Sequence, residues 1–219
     1  MKYSYLLFDL DGTLTDSGEG IMRCVQYALE KFGIREQDVR KLRRFVGPPL
    51  NDSFRIFCGM SEEDALQAVR YYRERYEKQG ILENHVYEGI PQLLKDLAAE
   101  GRTLIVASSK PEVYVRKVLE NFSIAESFSF TIGSGMNGRL SSKEEILAEV
   151  LRRCPAAGAD RKGTVMIGDR RYDIEGARSA HIDSVGVYYG YAEAGELEAA
   201  GADYIVQTVD ELRELFMRL

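Results

Sequence analysis

Short apolar runs rich in β-branched and aromatic residues recur at residues 3–8 (YSYLLF), 103–108 (TLIVAS), 127–133 (SFSFTIG), 164–168 (TVMIG), 183–187 (DSVGV) and 203–206 (DYIV). Runs of this length bounded by turn-forming residues read as strands, and their near-continuous apolar character suits strands covered on both faces. Between most of them the spacing changes to that of a helix. Residues 90–101 (IPQLLKDLAAEG) repeat apolar side chains at helical intervals and end on Gly101, while 142–154 (SKEEILAEVLRRC) open with a serine cap and an acidic first turn. Strands alternating with helices predict an α/β protein with a doubly wound parallel sheet, which binds its ligands at the carboxyl ends of the strands.

The interval 17–84 breaks the alternation. Residues 18–33, 36–47, 49–59 and 61–80 all carry helical patterns with no convincing strand among them, and strand and helix alternate again from residue 90. The economical expectation is a core of residues 1–16 and 85–219 with a helical segment, 17–84, inserted after the first strand. Tyr71, Tyr72 and Tyr76 fall at helical spacing and read as packing within that segment.

Composition narrows the function. At 219 residues, 45% of them apolar, the chain can bury a substantial core. Its 35 acidic and 29 basic residues give a formal charge of −6, which argues against nonspecific binding to nucleic acid or to an anionic membrane. The apolar run before the first aspartate is too short for a signal peptide or a membrane span, so the expected location is cytoplasmic. Cys24, Cys58 and Cys154 are widely spaced and odd in number, a pattern of small apolar fillers and not of a disulfide framework or a zinc site.

Candidate chemistry collects where strands end. In LLFDLDGTLTDS (6–17), Asp9 and Asp11 stand two apart, so on an extended segment both side chains reach the same side. Two such carboxylates repel unless their charge is offset, and Mg²⁺ characteristically takes one or two carboxylates plus phosphate oxygens. The plainer reading is an acidic turn at Asp11-Gly12. An EF-hand loop is excluded, because counting from Asp9 puts Leu14 where that loop needs glycine and Gly20 where it needs glutamate. GDRRYD (168–173) supplies Asp169 at another strand end and Asp173 four residues on, either as site carboxylates or as a helix cap and its first-turn partner. VASSKP (106–111) offers the Ser108 and Ser109 hydroxyls and backbone amides suited to phosphate oxygens, although serines also cap helices. Lys143 stands in a first helical turn, where its charge opposes the helix dipole.

Carboxylates, a hydroxyl, a lysine and carboxylates again, in that order, resemble the haloacid dehalogenase-like superfamily of phosphatases. Its pattern is D-x-D-x-[TV], then Ser or Thr at a strand end, then Lys, then G-D-x-x-x-D. The match spans essentially the whole chain, and residues 44–50 (RFVGPPL) and 168–191 are similar to the phosphoglycolate-phosphatase-like branch with an α-helical cap. The resemblance implies a Rossmann-like core and a phosphomonoester hydrolase acting on a small cytosolic metabolite, such as phosphoglycolate or a nucleoside monophosphate, in a monomer or weak homodimer. It assigns Asp9 as the nucleophile and Asp11 as general acid and base. Ser108 and Lys143 would hold the phosphoryl oxygens and offset charge. Gly12, Ser109 and Gly47 are expected at the substrate, with Gly47 in a cap that moves as a lid on hinges near 16–18 and 85–89. Mg²⁺ would be held by Asp9, the Asp11 backbone carbonyl and Asp169, with Asp173 as a ligand or supporting anchor. Asp11, needed as an acid, should have its pKa pushed above that of Asp9. A 5′-nucleotidase or phosphomutase of the same superfamily shares these motifs. A receiver-like signalling domain combines similar residues but needs no large insertion after its first strand.

Overall fold

The computed structural model describes residues 2–154, 156 and 160–219, and the chain divides into two compact units, Met1–Thr15 with Val86–Leu219, and Asp16–His85. The first unit is built on β1 (Tyr5–Phe8), and the chain passes between the units through β2 (Thr15–Asp16) and β3 (His85–Val86), two short strands paired with each other. Five further strands complete the main sheet: β4 (Thr103–Pro111), β5 (Phe130–Ser134), β6 (Thr164–Gly168), β7 (Asp183–Val187) and β8 (Tyr204–Val206). They lie in the order β5-β4-β1-β6-β7-β8, all parallel. This is the α/β architecture expected from the alternation of apolar runs and helical patterns.

Parallel strands need crossover helices, and those helices bury both faces of the sheet. On one face the helices Lys143–Arg153 and Arg171–Ser179 pack Ile146, Leu147, Val150 and Ala177 against Leu7, Ile105, Ala107, Ile132 and Met166. Leu7 therefore faces one layer and its neighbours Leu6 and Phe8, also fully buried, face the other. Ile90–Ala99 buries Ile90, Leu93, Leu94 and Leu97, and Val209–Arg218 buries Leu212 and Phe216. The Phe216 ring meets Tyr3 edge to face at 6.4 Å.

The largest departures from the strand expectation are in β5 and β4. Within β5 the chain is extended only from Phe130, because Ala125–Ser127 forms a short 3₁₀ turn first. The strand expected over 103–108 runs on to Pro111. Ala107 pairs with Ile132 and Pro111 with Ser134, so four steps along β4 match two along β5 and the segment between them bulges. Bulges of this kind re-aim side chains and gather at functional sites.

The second unit is helical: Gly18–Glu30, Val39–Arg43, Leu50–Cys58 and Glu62–Lys78. Ile21, Cys24, Val25 and Ala28 of the first helix are buried, as are Ala65, Ala68, Tyr72 and Tyr76 of the last. The Tyr72 and Tyr76 rings stack at 5.6 Å, so the tyrosine stripe is packing. The pattern over 36–47 forms helix only at Val39–Arg43, since Asp38 accepts the Arg40 N–H as an N-cap and Gly47 turns the chain at φ 103°. Among the described residues, no helix is long and apolar enough to cross a membrane, and the three cysteines carry free thiols.

Ser142 and Glu145 form a reciprocal capping box at the helix that begins with Lys143. Ser142→Ala is expected to lower the unfolding free energy by about 1 kcal/mol. Urea denaturation checks it, and an unchanged midpoint would show that the cap contributes nothing.

Candidate active site

The strand order decides which chain segments meet. β1 lies between β4 and β6, with Phe8 level with Val106 on one side and Ile167 on the other. Just past this level stand Asp9 after β1, Ser108 in the irregular last part of β4 and Asp169 after β6, at one edge of three adjacent strands where the strand order reverses. The Asp9 N–H donates to Ile167 O at 2.9 Å, which extends the ladder one residue and holds Asp9 in line with the strand.

Asp9, Asp169 and Asp173 each bring a carboxylate oxygen within 4.8 Å of the others, and all three are buried. Lys143, the first residue of its helix, crosses beneath them. Its Nζ donates to Ala107 O at 2.9 Å and lies 3.1 Å from Asp9 Oδ1 and 2.7 Å from Asp173 Oδ1. The ammonium placed unfavourably for its own helix is thus matched by two carboxylates from other elements. Burial lowers the Lys143 pKa, but Asp173 and Asp9 outweigh it and the net shift is upward. Asp173 Oδ2 also accepts the Arg170 N–H at 3.1 Å, so this residue both closes the helix start at 171 and faces the site.

Asp169 is not a helix cap. Its Oδ2 accepts the Tyr191 N–H at 2.8 Å from across the loop after β7, while its Oδ1 is buried with no hydrogen-bond partner. Burial raises its pKa well above the usual range, reinforced by Asp173 and Asp9. Asp9 is raised to about 6, first by burial, against which Lys143 pulls down and Asp173 and Asp11 push up; the Ser108 hydroxyl also favours the ionised form. Asp11 stands apart from this cluster, with both of its oxygens facing Lys110 Nζ at 2.8 and 3.0 Å.

Four carboxyl groups face two ammonium groups, a formal excess of two acidic groups in a site from which water is largely excluded. That imbalance, the orphaned Asp169 Oδ1 and the all-oxygen donor set fit one hard divalent cation.

Backbone geometry explains the glycines around these side chains. Gly168 leaves no room for a Cβ beside the Asp173 carboxylate. Gly12 adopts φ 85° with Asp169 and Tyr191 pressed against its Cα, and Gly190 is closed by Gly12 O and Asp169. The Gly12 N–H donates to Thr15 O at 2.7 Å within the turn that follows Asp11. Ser108 is buried and Ser109 half-buried, both in the bulge of β4. Gly47 belongs to the helical unit, where it makes the turn before Leu50–Cys58. Arg170 pairs with Glu196 at 2.9 Å. Sequence reasoning missed Lys110, although it stands beside the two serines it singled out, and missed Tyr191, whose backbone N–H no side-chain motif can reveal.

A family model described as haloacid dehalogenase-like hydrolase matches residues 6–187. The chain is 40% identical to a 5′-nucleotidase of Pseudomonas aeruginosa over 98% of its own length and 96% of the relative's. It is 36% identical to the tyrosine-protein kinase PtkA of Mycobacterium tuberculosis, over 95% of this chain and 71% of that one. The crystal structure of a predicted phosphatase from Clostridium acetobutylicum superposes with a TM-score of 0.95 at 44% identity, covering all of both chains.

Gly176 sits against the Lys143 stem, and a Cβ there would lie 2.8 Å from Lys143 Cγ. Gly176→Val is expected to push Lys143 Nζ beyond its present 3.1 Å from Asp9. A crystal structure of the variant measures this, and an unmoved ammonium would refute the packing argument.

Proposed function

We propose that this chain, which belongs to the haloacid dehalogenase-like hydrolase family and is a phosphatase, hydrolyses phosphomonoesters of small metabolites through an aspartyl phosphate on Asp9. The observation that carries the reading is the surround of Asp9: a buried carboxylate at the end of the central strand, 3.1 Å from Lys143 Nζ, in contact with the Ser108 hydroxyl and followed two residues later by a second carboxylate.

The chemistry follows from these positions. A carboxylate oxygen of Asp9 attacks phosphorus, the P–O bond to the ester oxygen breaks, and Asp11 in its acid form gives that oxygen a proton. Asp11 then takes a proton from the water that attacks the acyl phosphate, the P–O bond to Asp9 breaks, and inorganic phosphate leaves. Lys143 and the Ser108 hydroxyl face the charge that accumulates on the phosphoryl oxygens, where fixed donors in a water-poor site act most strongly. Mg²⁺, held by Asp9, Asp169 and the Asp11 backbone carbonyl, would supply further charge neutralisation at those oxygens. Both Asp173 oxygens are engaged, by Lys143 and by the Arg170 N–H, which suits a supporting role better than direct ligation.

The 5′-nucleotidase likeness makes nucleoside monophosphates the leading substrate class, with phosphoglycolate the alternative from the branch resemblance. A panel of both, read as kcat/KM, is expected to show turnover with Mg²⁺ that EDTA and Asp169→Asn each abolish while the circular dichroism spectrum is kept. Full-rate hydrolysis by the chelated protein would remove the metal assignment.

Asp11→Asn makes a sharper prediction. An aryl phosphate departs as a stable anion and needs little protonation, so Asp9 is still phosphorylated. Hydrolysis of the adduct then lacks its base and slows by about 10²- to 10⁴-fold. Intact mass should record one added phosphoryl group in this variant and none in Asp9→Asn. Wild-type turnover by Asp11→Asn would show that Asp11 is no base.

A further inference from the structure

The bulge in β4 delivers a residue that the reaction above does not use. Lys110 is 9% exposed, and its Nζ lies 2.8 and 3.0 Å from the two oxygens of Asp11, across 99 positions of sequence. The side chains retain 6% and 11% exposure. Buried lysines occur almost only where a partner is provided. The contact exists because four residues of β4 oppose two of β5, which carries Lys110 past the end of regular pairing to the same edge as Asp11.

The site's other lysine cannot replace it. Lys143 Nζ has three N–H donors, and Ala107 O, Asp9 and Asp173 surround it. Each proposed reacting carboxylate thus has its own ammonium, Asp9 with Lys143 and Asp11 with Lys110. The two pairs differ in one respect: Asp9 is also held in line by its backbone bond to Ile167, whereas Asp11 begins the tight turn in which Gly12 N–H meets Thr15 O. A carboxylate on a turn has several staggered rotamers available, and proton transfer requires hydrogen-bond reach of the reacting oxygen.

We propose that Lys110 is a positioning residue that holds the Asp11 carboxylate in the one rotamer that serves both proton transfers. The inference rests on the reading of Asp11 given above and adds a residue to it. A purely structural ion pair would change stability and leave the reaction steps in their wild-type ratio. A lysine that grips the phosphoryl group would change KM. A positioning residue instead lowers kcat through Asp11 and is silent when Asp11 has been removed.

A double-mutant cycle of Lys110→Met and Asp11→Asn, with an aryl phosphate and Mg²⁺, separates these. Lys110→Met is expected to lower kcat by about 10- to 100-fold, misplacement of a reacting group by about an ångström costing on the order of 10²-fold. KM should stay within about twofold and phosphoenzyme should accumulate, as in Asp11→Asn. On the Asp11→Asn background the same change should cost less than about threefold, the mark of two residues acting as a unit. Lys110→Arg, which keeps charge and donors, should recover most of the rate and carries the test if Lys110→Met fails to fold. An equal loss on both backgrounds, a raised KM at unchanged kcat, or wild-type rates in Lys110→Met and Lys110→Arg would each overturn the proposal. An inactive wild type, or an active Asp9→Asn, would instead overturn the proposed function.

Discussion

The repulsion among carboxylates gathered at one edge of a parallel sheet is the constraint on which the rest of the site depends. Asp9, Asp11, Asp169 and Asp173 would each be costly to bury alone, and a buried charge persists only when paired. The Lys143 ammonium answers this at the centre, contacting Asp9, Asp173 and the Ala107 carbonyl together. Its own placement depends on the helix that begins at residue 143, on the capping box that starts that helix, and on Ile146, Leu147 and Val150, which press it onto the sheet. Core packing and site electrostatics are therefore one system: the apolar face of a helix holds the lysine, and the lysine makes the carboxylates tolerable.

Close approach is the second demand. Carboxylates can share one cation or one phosphoryl group only if the backbone around them is thin. Gly168 beside Asp173, Gly12 and Gly190 around Asp169, and Gly176 against Lys143 all provide that thinness, and in each case a Cβ would collide with a charged side chain or its support. Only Gly12 among these needs its glycine for a left-handed backbone as well. Burial first, and the neighbouring carboxylates second, raise the pKa values of Asp9 and Asp169.

Much of this was legible along the chain. Runs of apolar residues locate a strand because a fully covered strand has no polar positions to spare, and β6 and β7 occupy the spans their runs indicate. Helix starts were readable where a side chain caps its own neighbourhood, as Ser142 does for Glu145 and Ser61 for Asp64. Such signals are local, lying within four residues. The acidic strand ends were visible for the same reason, since a carboxylate that closes an apolar run contradicts its surroundings.

What the sequence alone determined, then, is the set of elements and the chemical types standing at their ends: an alternating α/β core, an inserted helical run, and Asp9, Asp11, Ser108, Lys143, Asp169 and Asp173 as candidates. The tertiary structure decided how those groups are paired. Lys110 with Asp11, Tyr191 N–H with Asp169 and Gly176 with Lys143 join residues from 22 to 99 positions apart or depend on a steric gap, and none has a periodic or neighbouring signature. The bulge that aims Lys110 is a mismatch between two strands, a property of neither β4 nor β5 by itself. Pairing of that kind is set when the sheet assembles, because only then do separate stretches of chain share one edge and one electrostatic field.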